Sequence, residues 1–341
     1  MVRGPRVVAA TGALMVYGIG NPLIDVVIRV DDNDLSRLGL DKGIMHLVDE
    51  ERQACILETL AGRERTLRPG GSAPNTLLAL AGLGVDAVIS GKIGNDDFGR
   101  SYNDQVAEYG ITSRLVMGDG ITGSSVILVT PDGERTMNTH LGMCQRFTRA
   151  DLDEPLLERA DFLYFTGYMW DTQAQKDAIL RAMEICSAAG AKIVFDVADP
   201  FAVERYRDDF LELIEHRVDV VFANRREAQI LYRTADGAAP RDAAALLGRH
   251  VGIAVLKAGK DGSYTAHDGT VDHTPGRPLP VVDTTGAGDM FAAGFLAGLA
   301  TDRSPAECAR MAGLLAEEVI AQIGAQFPVH RIRALKSELV G

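Results

Sequence analysis

Val281–Met290 reads VVDTTGAGDM, and the apolar run FAAGFLAGLA follows it to Ala300. An extended Val-Val-Asp leads into Thr284 and Thr285, then into Gly286, Ala287 and Gly288, then into Asp289 and a segment with helical spacing. Residues this small let the backbone turn with its N–H groups exposed. The helix behind them adds its own unpaired N–H groups and the positive end of its dipole. The result is a main-chain hole suited to a phosphate or to developing phosphoryl charge. Asp289 stands where a carboxylate could take the proton of a hydroxyl attacking phosphorus. The plainer alternative is a glycine turn with Asp289 as a helix cap.

Working outward, the chain from Ala160 runs strand, helix, strand, helix, strand. ADFLYFTGYMW precedes a helix over 173–189, AKIVFDVADP precedes one over 203–216, and VDVVFAN follows. Nearly continuous apolar strands separated by helices predict a parallel sheet covered on both faces, with ligands beyond the C-terminal strand ends. Upstream, VYGIGNPLIDVVIRV (16–30) reads as strand, Gly-Asn-Pro turn and alternating strand; 35–40 and 50–61 read as helices, the latter packing through Ala54, Leu57 and Leu60. Residues 85–111 form a strand–turn–helix unit, and 113–140 alternate as strands with TPDG as a hairpin turn. Ser304–Gln322 is a further apolar helix.

A chain of 341 residues can bury a sizeable core as one large or two small α/β domains. Lys+Arg 35 against Asp+Glu 47 gives −12, which disfavours nonspecific nucleic-acid and anionic-membrane binding. An anionic substrate must therefore be met by local amides, Mg²⁺ and a few cations. Cys55, Cys144, Cys186 and Cys308 form no CxxC, so neither zinc nor a disulfide framework is indicated, and a reducing cytoplasm is the simplest setting. No apolar stretch is long and charge-free enough to span a bilayer. Residues 1–14 read as a loose, disordered leader without a signal-peptide core, with Met15 as a candidate start.

Several further residues carry two readings. Asn21 and Asp25 flank the Gly-Asn-Pro turn: they are a turn former and a satisfied acceptor, or ligand contacts, since a carboxylate within LIDVVI must find a partner or face a cavity. Gly70 and Gly71 break the chain before a helix that carries Asn75, which is either a connection or a place where a ligand presses on bare backbone. Asn224 and Glu227 match a capping box, and equally a pair of oxygen donors for hydrated Mg²⁺. Asp96 and Asp97 read as caps. Lys257, Gly259 and Gly262 lie at a strand end and turn, open to a nucleotide. Gly91-Lys92 lacks the Ser or Thr of a Walker A string, and no GxGxxG opens a helix, which disfavours P-loop and dinucleotide-binding chemistry.

GGSxxN at 70–75, NxxE at 224–227 and DTTGAGD at 283–289, in this order, resemble the signatures of the ribokinase-like (PfkB) carbohydrate and nucleoside kinases. GNPLID resembles the start of the adenosine kinases within that family. The resemblance covers nearly all of 15–341. It implies a three-layer α/β/α domain with a mostly parallel central sheet and a small β lid from 16–45 and 113–140. It implies an ATP-dependent phosphotransferase acting on a nucleoside or a sugar, adenosine first, in purine salvage. Asp289 would be the general base, the Gly286–Gly288 amides the anion hole, and Arg135 a neighbour of the transferred phosphate. Asn21, Asp25, Gly70, Gly71 and Asn75 would hold the ribose and Tyr168 the purine. Thr284, Asn224, Lys257, Gly259 and Gly262 would hold ATP, with Asn224 and Glu227 organising Mg²⁺; separately, the resemblance allows a monovalent cation such as K⁺ near the Asp283 loop. Whether the chain is monomer or homodimer stays open, as does a silent nucleotide- or sugar-binding protein on the same fold.

Overall fold

Alternation along the strands sends successive side chains to opposite faces, and here both faces are apolar. Val16, Tyr164 and Val194 belong to one core, and Tyr17, Leu163, Phe165, Ile193 and Phe195 to another. A strand buried on both sides has to be covered by helices on both sides. The computed structural model describes residues 14–235 and 237–339, and in it this requirement is met by three α/β/α layers. The expected leader lies outside the described residues except for Leu14, which packs against the first core.

The strands in chain order are β1 (Met15–Ile19), β2 (Leu23–Arg29), β3 (Met45–Leu47), β4 (Arg65–Gly70), β5 (Asp86–Gly94), β6 (Thr112–Gly118), β7 (Ser124–Val129), β8 (Arg135–His140), β9 (Phe162–Thr166), β10 (Lys192–Asp196), β11 (Val220–Asn224), β12 (Ile253–Lys257), β13 (Ser263–His267) and β14 (Thr270–Thr274). The large sheet has nine strands in the order β14-β13-β12-β11-β10-β9-β1-β5-β6, with every pairing parallel except β12–β13 and β13–β14, which are antiparallel. The chain leaves β1 towards β5 and β6 on one side and towards β9 to β12 on the other. That reversal opens a crevice beyond the ends of β1 and β9. Asn21 and Tyr168 follow those two ends, and Asp196, Asn224 and Lys257 close the next three strands.

The small sheet has five strands in the order β3-β8-β7-β2-β4. Its make-up differs from the expectation. Met15–Ile19 and Thr112–Gly118, parts of the stretches assigned to the lid, belong to the large sheet, whereas β4 joins the small one. The helix over Glu50–Thr59 packs through Leu57 and Leu60 as expected, joined by the buried Gln53 and Ile56, whereas Ala54 is exposed. Gln53 can be buried because Ser124 and Asn138 carbonyls accept from its Nε2 at 2.9 and 3.2 Å, and Ser124 Oγ donates back at 2.8 Å.

The run after Asp289 forms the helix Ala287–Ala300, packed on Pro305–Ile320. Its small residues permit close approach: a Cβ added to Gly294 would lie 2.7 Å from Ala312 Cα, and one added to Gly298 would lie 2.6 Å from Cys308 Sγ. Gly294→Val should therefore force the helices apart and lower stability by about 1–3 kcal/mol in urea unfolding. A loss below about 0.5 kcal/mol, the range of a neutral surface change, would show that the interface tolerates the bulk.

Candidate active site

A cleft of about 1010 Å³ lies beyond the strand ends. Asn21, Asp25, Gly71, Ile127, Met137 and Tyr168 line it on the side of the small sheet. Lys260, Gly276, Pro278, Ala309, Gly313 and Ala316 line another part of it, the floor, where the helix Pro305–Ile320 contributes only small residues besides Glu317 and Ile320. Gly286, Ala287, Gly288, Asp289, Asn224, Glu227, Thr284, Gly259, Gly262 and Lys257 line it as well, so most of the residues singled out in the sequence share one cavity.

Asp289 sits in the first turn of its helix, half-buried among polar partners. Ser72 Oγ donates to its Oδ1 at 2.7 Å and Asn75 Nδ2 to its Oδ2 at 2.8 Å, both from the helix Ser72–Gly82. Thr76 Oγ1 donates to its carbonyl at 3.1 Å. Burial pushes the Asp289 carboxyl up to about 6, while the Ser72 and Asn75 hydrogen bonds pull it down. Ser72 falls within GGSxxN without a role assigned from sequence, and no motif covers Thr76.

Gly286, at φ 77°, starts the helix in the left-handed region, and a Cβ there would lie 2.6 Å from Ala325 Cα. The hole differs in one detail from the expectation of three free amides. Ala287 N–H donates to the Thr284 carbonyl at 3.2 Å, which leaves Gly286 and Gly288 as the amides that no protein group accepts from among the described residues. Lys257 Nζ lies 3.4 Å from where a Gly288 Cβ would stand, so a fixed cation backs the turn. Lys257 is itself anchored, donating to both Asp196 oxygens at 3.0 and 2.9 Å.

Glycine at 71 has a steric cause. Its φ is 98°, and a Cβ would lie 2.1 Å from the Asn21 carbonyl oxygen. Gly70 lies behind the cleft wall, where a Cβ would come within 2.6 Å of the Asp25 carboxylate. Asp25 lines the cleft, and burial pushes it up to about 7 against the pull of Arg135. Asn21 is engaged within the protein: Gln175 Nε2 donates to its Oδ1 at 2.9 Å, and its Nδ2 donates to the Tyr168 carbonyl at 3.2 Å. Tyr168 hydroxyl donates to Asp199 Oδ2 at 3.2 Å.

Arg135 lies outside the cleft lining and beside a second cavity that Asp25 shares. Its guanidinium pairs with Asp283 at 3.0 Å and donates to Thr285 Oγ1 at 2.7 Å, so it braces the turn from behind. Asp283, near which a monovalent cation was expected, also accepts from Thr285 N–H at 3.0 Å and Gly324 N–H at 2.7 Å. Glycine at 262 has a structural reason too: a Cβ would lie 2.0 Å from the Thr274 carbonyl.

Asn224 and Glu227 form the capping box. Asn224 N–H donates to Glu227 Oε2 at 2.7 Å, and Asn224 Nδ2 to Oε1 at 2.5 Å. Burial raises the Glu227 carboxyl well above its usual range, with Lys257 opposing. A buried carboxylate on a cleft wall, short of positive charge, fits a hydrated divalent cation held through water. Among the described residues no group of three or more His, Cys, Asp or Glu could hold a metal alone, and no helix is long and apolar enough to cross a membrane.

Residues 41–332 match the family described as pfkB family carbohydrate kinase. The chain is 36% identical to a crystal structure of adenosine kinase from Sinorhizobium meliloti, covering 96% of this chain and 99% of that one with a TM-score of 0.85. It is 32% identical to a probable sugar kinase protein from Rhizobium etli, with 96% and 99% covered and a TM-score of 0.86. Adenosine kinase 2 of Arabidopsis thaliana is 25% identical over 334 residues, 92% of this chain and 96% of that protein.

The raised Asp25 carboxyl has a consequence for stability. The folded protein holds this proton up to about 7, whereas the free side chain releases it near 3.8. The favourable contribution present below 3.8 is therefore lost as pH rises through about 7. Asp25→Asn removes the buried charge, so its melting temperature should gain on the wild type between pH 5 and pH 8. Parallel melting curves across that range would contradict the assignment.

Proposed function

The chain belongs to the pfkB family of carbohydrate kinases and is an ATP-dependent kinase, and on that premise we propose that it transfers the γ-phosphate of ATP to the 5′-hydroxyl of adenosine, giving AMP. The observation that carries this reading is Asp289. Its raised carboxyl faces the cleft beside two unclaimed amides, where the acceptor side and the small-residue side meet. A carboxylate with a pKa of about 6 is largely ionised at neutral pH and still basic enough to take a hydroxyl proton. The acceptor oxygen forms its bond to phosphorus as the bond to the ADP oxygen breaks, and the hydroxyl proton passes to Asp289. The amides of Gly286 and Gly288 and the Lys257 charge behind them stabilise negative charge on the transferred group.

Asp25 and Gly71 are assigned to the ribose, with Asn75 beside them, and Tyr168 to the purine face. Asn21 then acts through its carbonyl and the shape of the turn, since its amide is engaged with Gln175 and Tyr168. Thr284, Gly259 and Gly262 are assigned to ATP, Arg135 to bracing the turn, and Asn224 and Glu227 to holding hydrated Mg²⁺. When bound, Mg²⁺ neutralises phosphate charge. The sequence similarity to adenosine kinases favours a nucleoside acceptor. The likeness to a probable sugar kinase supports a second reading, with ribose or fructose as acceptor.

ADP release with Mg-ATP, followed against adenosine, guanosine, inosine, ribose and fructose, tests the acceptor. Preference for adenosine is expected, and turnover with free sugars alone would overturn it. Asp289→Asn should lower kcat by roughly 100- to 10,000-fold while adenosine still binds. In the wild type kcat should rise with pH through about 6 as Asp289 ionises. A flat profile from pH 5 to 8 would remove Asp289 from the base role.

A further inference from the structure

The hydrogen bonds that end on Asp289 begin further back. Gln326 is buried at 7% exposure, and its Nε2 donates to Asn75 Oδ1 at 2.8 Å. Asn75, at 4% exposure, donates in turn from Nδ2 to Asp289 Oδ2 at 2.8 Å. An amide side chain has one accepting and one donating end. A carboxylate demands the donating end of Asn75, so the other end presents an oxygen that must be met by a donor. Gln326 supplies that donor.

Gln326 is itself well placed to hold a fixed position. Its carbonyl accepts from Gln322 Nε2 at 2.7 Å. The carbonyl of its neighbour Phe327 accepts from the buried hydroxyl of Tyr109 at 2.8 Å. On the other side, Ala325 packs on Gly286, and Gly324 N–H donates to Asp283. One short segment, 324–327, therefore touches the anion turn and the partner of the carboxylate together.

We propose that Gln326 is a positioning residue for phosphoryl transfer: its N–H locks the amide of Asn75 in the one orientation that directs N–H groups at Asp289. This rests on the reading of Asp289 as the base. Without the Gln326 donor the Asn75 amide is free to invert, which would set its oxygen against the carboxylate and repel it. A carboxylate at 326 would be worse than no polar group, because it accepts where Gln326 donates and so favours the inverted amide.

The test compares Gln326→Met and Gln326→Glu with the wild type, using kcat, KM for ATP and melting temperature. Gln326→Met should lower kcat by about tenfold and Gln326→Glu by about 100-fold, the scale of a catalytic group displaced by about 1 Å. KM for ATP should change less than twofold in both. The ordering is diagnostic, since a merely structural role would make kcat follow the melting temperature. In an Asn75→Ala background the two substitutions should cause no further loss of kcat, because the group they act through is gone. Equal kcat in the two variants, or full additivity with Asn75→Ala, would overturn the proposal. Wild-type activity in Asp289→Asn would instead overturn the base assignment beneath it.

Discussion

A single half-buried carboxylate ties together parts of the chain that are far apart in sequence. Asp289 lies in the first turn of one helix and accepts hydrogen bonds from Ser72 and Asn75 in the first turn of another. Burial raises its carboxyl, while these two hydrogen bonds and the nearby Lys257 charge favour the ionised form. The balance leaves the group near neutrality, ionised yet basic. Moving either helix start would upset it, so the packing of both helices against the sheet is part of the chemistry.

The second constraint is backbone clearance. Gly71 and Gly286 both hold φ in the left-handed region, and both face neighbours too near for any side chain. At Gly71 the neighbour is the carbonyl of Asn21, and at Gly286 it is Ala325. These contacts bring the end of β1, the end of β4 and the segment before the last helix onto the site, which is why residues from such distant stretches meet in one cleft.

Much of this was legible in the sequence. Apolar strands alternating with helices announced a covered parallel sheet, and glycine pairs beside polar residues located the cleft walls. Local spacing could not assign strands to sheets, because β1 and β6 look like the lid strands beside them and only long-range pairing separates the two. It also could not orient side chains. Arg135 and Lys257 read as cations for a ligand, yet each is tied to an aspartate from another part of the chain, Asp283 and Asp196. Gln326 lies in the GAQFPVH turn (324–330), where sequence alone gives that side chain no role, and only its contact with Asn75 identifies one.

The glycine-lined seam between Ala287–Ala300 and Pro305–Ile320 has a further meaning. The first helix carries Asp289 at its head, and the second carries Ala309, Gly313 and Ala316, which floor part of the cleft. With Gly294 seated on Ala312 and Gly298 on Cys308, the pair behaves as one plate. The span from the floor to the Asp289 carboxylate is thus built in when the chain folds. On the proposed reading of Asp289 as the base, changes at the three floor residues alter that part of the cleft while leaving the helix start that carries the base in place, so recognition and chemistry can diverge independently on the same pair of helices.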